Sequence, residues 1–154
     1  MMKKGDYKQV YRHFLTMFAR LLVAYDGSEN SKRALEVAVD LAVRCGARVH
    51  VTKVVDLASL MGLELEGQVI DELKSKAERE VHEAVELARS KGVNADGSVL
   101  VGDPVESIVE LAQEMGVDLI VTGSRGLSRL KRILLGSVST GILTEAKCSV
   151  LVVK

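Results

Sequence analysis

Short apolar runs alternate with longer segments of helical period from residue 20 to the end of the chain. The apolar runs are rich in Val, Leu and Ile, which is typical of strands covered on both faces of a sheet. Strands that alternate with helices indicate parallel pairing in a doubly wound fold. We therefore predict an α/β fold with an open parallel sheet and helices on both of its faces. The predicted strands are Leu21–Tyr25, Val49–Val55, Ser98–Val101, Leu119–Thr122 and Ser149–Val153.

Four helices are predicted between these strands, and most carry their own start and stop signals. The first has Ser28 as its N-cap residue and Gly46 as its left-handed stop. The third opens with Asp103 as N-cap residue and Pro104 at the first helical position. Apolar residues at spacings of three and four mark the inward faces of the first three helices. The predicted helices run from Ser28 to Gly46, Val69 to Ser90, Asp103 to Gly116 and Ser137 to Ala146.

The segment before the first strand holds most of the few aromatic residues of the chain. We predict a helical N-terminal extension over residues 1–18 and a single domain over residues 19–154. The aromatic face of the extension is suited to docking on the domain, on a partner subunit or on a membrane surface, and the sequence leaves these three open. That face is formed by Tyr7, Val10, Tyr11, Phe14 and Phe18.

Charge and composition narrow the classes of function. The 154 residues contain 21 basic and 21 acidic side chains, so no bulk positive field supports nucleic-acid binding. No apolar run reaches transmembrane length and no signal peptide is recognised, so we expect a cytoplasmic protein without a membrane partner. Cys45 and Cys148 match no zinc motif, and we interpret both as small buried hydrophobic residues.

The segment between strand Leu119–Thr122 and the last helix carries the most informative chemistry. It reads Gly123-Ser124-Arg125-Gly126, then nine residues, then Gly136-Ser137. Glycines let backbone N–H groups approach a ligand, and a helix N-terminus adds unpaired donors and partial positive charge. This pattern predicts a site for a phosphate chain, whose charge Arg125 would offset. The alternative is an ordinary solvated loop in which Ser137 only caps its helix.

Asp26 is the second candidate binding residue. It follows the first strand, at the edge where open α/β sheets place their ligands, and its carboxylate is suited to ribose hydroxyls or an adenine amino group. The alternative is a structural turn in which Asp26 accepts hydrogen bonds from nearby backbone N–H groups. A P-loop is excluded because no G-x-x-x-x-G-K-[ST] string is present, and the G-x-G-x-x-G dinucleotide turn is also missing.

The chain resembles the universal stress protein family from Arg20 to Lys154. The resemblance rests on five segments, and its G-x2-G-x9-G-[ST] spacing marks the ATP-binding branch of that family. These segments are Leu22–Ser28, Val101–Pro104, Val117–Gly126, Leu134–Ser139 and Ser149–Lys154.

The resemblance implies a five-stranded sheet of order 3-2-1-4-5 and an adenine-nucleotide site. It implies that ATP, or AMP or ADP, is bound with a divalent ion such as Mg²⁺ held by the phosphates. It also implies a homodimer paired through the last strand, where an apolar edge is formed by Val150, Leu151, Val152 and Val153. The implied nucleotide-binding residues are Ala24, Asp26, Val54, Gly123, Arg125, Gly126, Gly136, Ser137 and Val138.

Three functions are compatible with this pattern. The first is a regulatory stress-response module whose conformation or partners change with bound nucleotide, and it is favoured because no nucleophile pair, general base or metal cage is recognised. The second is a slow phosphoryl- or adenylyl-transfer enzyme, with ATP hydrolysis or self-phosphorylation as its reaction. The third is a nucleotide-free dimeric interaction protein.

Overall fold

The computed structural model describes residues 17–60, 67–125 and 135–154. Five strands and four helices alternate along the described residues. The strands are β1 (Arg20–Ala24), β2 (Arg48–Asp56), β3 (Ala95–Gly102), β4 (Leu119–Gly123) and β5 (Ser149–Val153). The helices are α1 (Glu29–Cys45), α2 (Gly67–Ser90), α3 (Pro104–Glu114) and α4 (Ser137–Glu145), and a short 3₁₀ turn spans Ala58–Leu60.

The strands form one parallel sheet of order β3-β2-β1-β4-β5. The predicted fold class and strand order are therefore confirmed. β1 lies between β2 and β4, with Ala24 paired to Thr52 on one side and to Thr122 on the other. This register brings the carboxyl ends of β1 and β4 to the same point of the sheet edge.

Two apolar layers enclose the sheet. On one face, α1 and α2 pack on Leu21, Val23 and their neighbours in β2 and β4. On the other face, α3 and α4 pack on Leu22, Ala24 and Ile120. Alternate strand residues therefore serve opposite layers, which explains why the central strands are apolar at nearly every position.

The predicted caps at Ser28, Gly46 and Asp103 are confirmed. The Ser28 hydroxyl accepts a hydrogen bond from the Ser31 N–H at 3.2 Å, and Gly46 ends α1 in the left-handed conformation. Asp103 accepts from the Glu106 N–H at 2.9 Å, directly before Pro104. Both caps satisfy N–H groups that a helix start leaves without partners.

β3 begins earlier than the sequence predicts. The predicted strand starts at Ser98, whereas the observed strand starts at Ala95. Its first half pairs along β2 in spite of its polar and glycine residues, because Gly97 lets α2 approach closely. An ideal Cβ at Gly97 would lie 2.5 Å from Cγ1 of Val81, so any larger residue would displace the helix.

A cluster of three polar side chains joins β2 to β3 on the sheet face opposite to that of Gly97. His50 Nδ1 lies 2.7 Å from Asp96 Oδ1, and His50 Nε2 lies 2.8 Å from Ser98 Oγ. The order of groups is that of a hydrolytic triad. However, His50 does not line the cleft of about 410 Å³ that Asp96 and Ser98 border beside α2. We interpret the cluster as a cross-strand tie at the sheet edge.

The two cysteines are unpaired and half-buried. Cys45 packs against the α1/α2 layer and Cys148 against the α3/α4 layer, close to the predicted burial. Burial raises the pKa of the Cys148 thiol above its ordinary value, which disfavours the reactive thiolate.

The predicted N-terminal helix, apart from its last two positions, lies outside the described residues. Phe18 is described, and it packs against the α1/α2 layer. Across the described parts of the chain, no helix is both long and apolar enough to cross a membrane.

Candidate nucleotide site

The candidate site lies beyond the carboxyl ends of β1 and β4. Asp26 follows β1 by two residues, and Gly123 is the last residue of β4. The two strands are paired directly, so these residues lie beyond the same end of neighbouring strands. Open α/β sheets bind their ligands at such an edge. Gly126 lies outside the described residues.

Asp26 is half-buried, and its carboxylate already stabilises a turn. Oδ1 accepts a hydrogen bond from the Ser28 N–H at 2.9 Å, and the intervening Gly27 has a positive φ of 84°. The structural alternative for Asp26 is therefore present in the molecule. It leaves ligand binding open, because a carboxylate carries more acceptor sites than one N–H group uses.

Gly123 has a structural reason for being glycine. An ideal Cβ there would lie 2.8 Å from the carbonyl carbon of Asn30 and 2.9 Å from Cβ of Asn30. The missing side chain thus allows the first turn of α1 to contact β4 directly. Ligand approach and an ordinary loop position were the two interpretations of this glycine from the sequence, and neither included this packing constraint.

Ser124 joins both ends of the loop that precedes α4. Its carbonyl oxygen accepts from the Gly136 N–H at 2.7 Å, and its own N–H donates to the Val153 carbonyl at 2.7 Å. The Ser139 hydroxyl also donates to the Ser124 carbonyl at 3.3 Å. Ser124 is 4% exposed, so these bonds form in a nearly dry environment. The start of α4 is consequently held beside the end of β4.

Gly136 is the N-cap residue of α4, and Ser137 is the first residue of that helix. Gly136 rather than Ser137 occupies the N-cap position, so the alternative in which Ser137 caps α4 is wrong, and glycine has no side chain with which to cap the helix. Ser137 is exposed, and Val138 is half-buried against the α3/α4 layer. Among the described residues no side chain caps this helix start, and its N–H groups could donate hydrogen bonds to an anion.

The remaining predicted residues are divided between the wall and the surface. Ala24 is buried, and Val54 is half-buried against the same layer as Ala24. Arg125 is exposed. Clefts of about 410, 630 and 180 Å³ lie elsewhere among the described residues, and these three contain no predicted nucleotide-binding residue.

A half-buried ion pair contacts the turn that Asp26 begins. Lys53 of β2 pairs with Glu80 of α2, and its ammonium lies 3.4 Å from the Asp26 carbonyl oxygen. No role was predicted for this pair from the sequence, although a lysine in the interior of a predicted strand was the available signal. Burial raises the pKa of the adjacent Tyr25, with Lys32 opposing the rise and Glu80 adding to it.

No group of three or more His, Cys, Asp or Glu side chains suited to a metal ion occurs among the described residues.

Comparison with known proteins identifies the family. The family model described as "Universal stress protein family" matches residues 17–154. The universal stress protein YxiE of Bacillus subtilis is 40% identical over 148 residues, which covers 90% of this chain and all of that protein. The chain therefore belongs to the universal stress protein family, and the resemblance found in the sequence is confirmed.

Two solved structures share the fold. The structure of hypothetical protein MJ0577 is 30% identical, covers 90% of this chain and 97% of its own, and superposes with a TM-score of 0.83. A universal stress protein in complex with cAMP is 28% identical, covers 90% of this chain and 99% of its own, and has a TM-score of 0.71.

Proposed function

We propose that this chain binds ATP, or the related nucleotides ADP and AMP, beyond the carboxyl ends of β1 and β4. The observation that carries the proposal is the joining of two features at one edge. The Ser124–Gly136 hydrogen bond of 2.7 Å holds the start of α4 beside β4, and Asp26 follows the adjacent strand β1. The cAMP complex of a family member supports an adenine nucleotide as the ligand.

Each end of the nucleotide meets a different part of this edge in our proposal. Asp26, Ala24 and Val54 contact the adenosine, with the carboxylate accepting from ribose hydroxyls. The backbone of Gly123, Gly126 and Gly136 and the Ser137 hydroxyl contact the phosphates, with Arg125 and Val138 beside them. A divalent ion such as Mg²⁺ is held by the phosphates and neutralises part of their charge.

The nucleotide acts as a signal in this proposal. Binding shifts the conformation or the partners of a cytoplasmic homodimer that pairs along β5. β5 is an edge strand of the sheet, and Leu151 is 36% exposed on it, so it offers unpaired backbone groups and apolar surface. The equal numbers of basic and acidic side chains favour no nucleic-acid partner.

The first test is direct detection of the ligand. Mass spectrometry of the purified protein should find a copurified adenine nucleotide. Addition of ATP at a hundredfold excess over its dissociation constant should stabilise the protein by about 2.7 kcal/mol, measured as a thermal shift. GTP and FMN serve as controls and should give smaller shifts. The absence of a shift with every adenine nucleotide would contradict the proposal.

Ser137→Ala should weaken ATP binding by about 0.5–1.5 kcal/mol, the value of one hydrogen bond. The exposed hydroxyl makes no cap bond within α4, so its removal should leave the unfolding temperature unchanged. Isothermal titration calorimetry measures the affinity.

Thr144→Ala is the matched control for this prediction. The Thr144 hydroxyl lies in the last turn of the same helix and donates to the Thr140 carbonyl at 2.9 Å. Its loss should leave ATP affinity unchanged. Equal affinities of wild type and Ser137→Ala would show that this hydroxyl does not contact the phosphates.

A further inference from the structure

Asn30 connects the first turn of α1 to the end of β4. Its side-chain Nδ2 donates to the Ser124 hydroxyl at 3.2 Å, across 94 positions of sequence. Asn30 is half-buried and Ser124 is nearly fully buried. A buried hydroxyl that loses its partner pays its full desolvation cost, so the bond constrains where Ser124 lies.

The position of Ser124 determines the position of the helix start that follows. Its backbone bonds to Val153, Gly136 and Ser139 are 2.7, 2.7 and 3.3 Å long. Ser124 therefore links Asn30 to the start of α4 at Gly136 and Ser137. No hydrogen bond among the described residues joins Asn30 to either of them directly. The contact between the Asn30 backbone and Gly123 places the amide close to Ser124.

The adenosine end of the proposed site, around Asp26, is held by a different set of hydrogen bonds. The Asp26 N–H lies 3.4 Å from the Ser31 hydroxyl, and the Lys53 ammonium lies near the Asp26 carbonyl. None of these hydrogen bonds includes the Asn30 side chain. Removing the Asn30 amide should consequently disturb the phosphate end of the site and leave the adenosine end in place.

We propose that Asn30 is a positioning residue for phosphate binding: its amide orients Ser124, which holds the N-terminus of α4 toward the phosphates. This inference rests on the proposed nucleotide site. Asn30 contributes to the affinity for ATP and not to the affinity for adenosine. A residue that only stabilises the fold would change both affinities to the same extent, so the ratio of the two distinguishes the roles.

The test compares Asn30→Ala with the wild-type full chain, using ATP and adenosine as separate ligands in isothermal titration calorimetry. We expect ATP affinity to fall about tenfold, from one lost hydrogen bond to a buried group, and adenosine affinity to change less than about twofold. An equal loss for both ligands, or no loss for ATP, would overturn the inference. If the wild type binds neither ligand, the proposed function itself fails and the inference fails with it.

Two further variants keep the test decisive. Ser124→Ala removes the acceptor and should reproduce the selective loss for ATP. The double variant should lose no more than either single variant, because both changes break the same bond. Additive losses would overturn the inference even if Asn30→Ala folds poorly. Asn94→Ala is the matched control, since Asn94 is an exposed asparagine before β3. This variant should bind both ligands as the wild type does.

Discussion

Gly123→Ala should lower the free energy of unfolding by about 1–3 kcal/mol and also reduce ATP affinity. The added methyl group would lie 2.8 Å from the backbone of Asn30, a distance that real Cβ atoms do not tolerate. A backbone atom cannot rotate away as a flexible side chain can, so α1 or β4 must shift. Either shift would displace Ser124 and the start of α4. Urea denaturation and titration calorimetry measure the two effects.

Gly67→Ala is the control for this substitution. Gly67 starts α2, and an ideal Cβ there meets no atom of the described residues within 4 Å. Its stability and ATP affinity should stay at or above the wild-type values, because alanine is a better helix former than glycine. Wild-type stability in Gly123→Ala would show that the α1–β4 contact can relax and is not the reason for this glycine.

Gly126→Asp should abolish ATP binding while leaving the protein folded. The substitution places a carboxylate where the proposed site presents open backbone to the phosphates, and the two negative charges would repel each other. The unfolding temperature without nucleotide should stay near the wild-type value, and the shift caused by ATP should disappear. Differential scanning fluorimetry records both in one experiment.

Gly67→Asp is the corresponding control for charge. It adds the same carboxylate at the start of α2, outside the proposed site. ATP should still stabilise this variant fully, since only the position of the new charge differs. A folded Gly126→Asp variant that retains its ATP affinity would show that phosphate is not bound at this loop.

The central part of the fold was predictable from the sequence because its signals are local. The apolar runs around Leu21–Ala24 and Leu119–Thr122 are buried on both faces, and the caps at Ser28 and Asp103 lie next to the helices they start. Hydrophobic period and capping chemistry depend only on neighbouring residues. These elements therefore form as the pattern indicates.

The edge strand β3 was less predictable. Asp96, Gly97 and Ser98 have low strand propensity, yet they pair with β2 because α2 packs on the glycine and His50 bonds to the two polar side chains. Both causes are tertiary contacts, and such contacts override local propensity. The sequence pattern of β3 by itself does not reveal these tertiary contacts.

The candidate site likewise contains residues that the sequence reveals and residues whose roles only the folded structure reveals. Asp26, Gly123 and Gly136 were recognisable, because strand ends and glycines are visible in the sequence. The roles of Asn30 and Lys53 were not, since each depends on partners that only the folded chain brings near. The two alternatives for Asp26 also persist in the structure. Its carboxylate stabilises a turn, and it lies at the sheet edge where the nucleotide site is proposed.

The hydrogen bond between Ser124 and Gly136 has a consequence for how this protein changes over evolution. The Ser124 carbonyl oxygen and the Gly136 nitrogen lie 2.7 Å apart, so the described parts of the chain on either side of residues 126–134 meet directly. Doubling the length of a flexible loop between two fixed ends costs only about 0.6 kcal/mol in chain entropy. An insertion between Ser124 and Gly136 should therefore cost little free energy of folding.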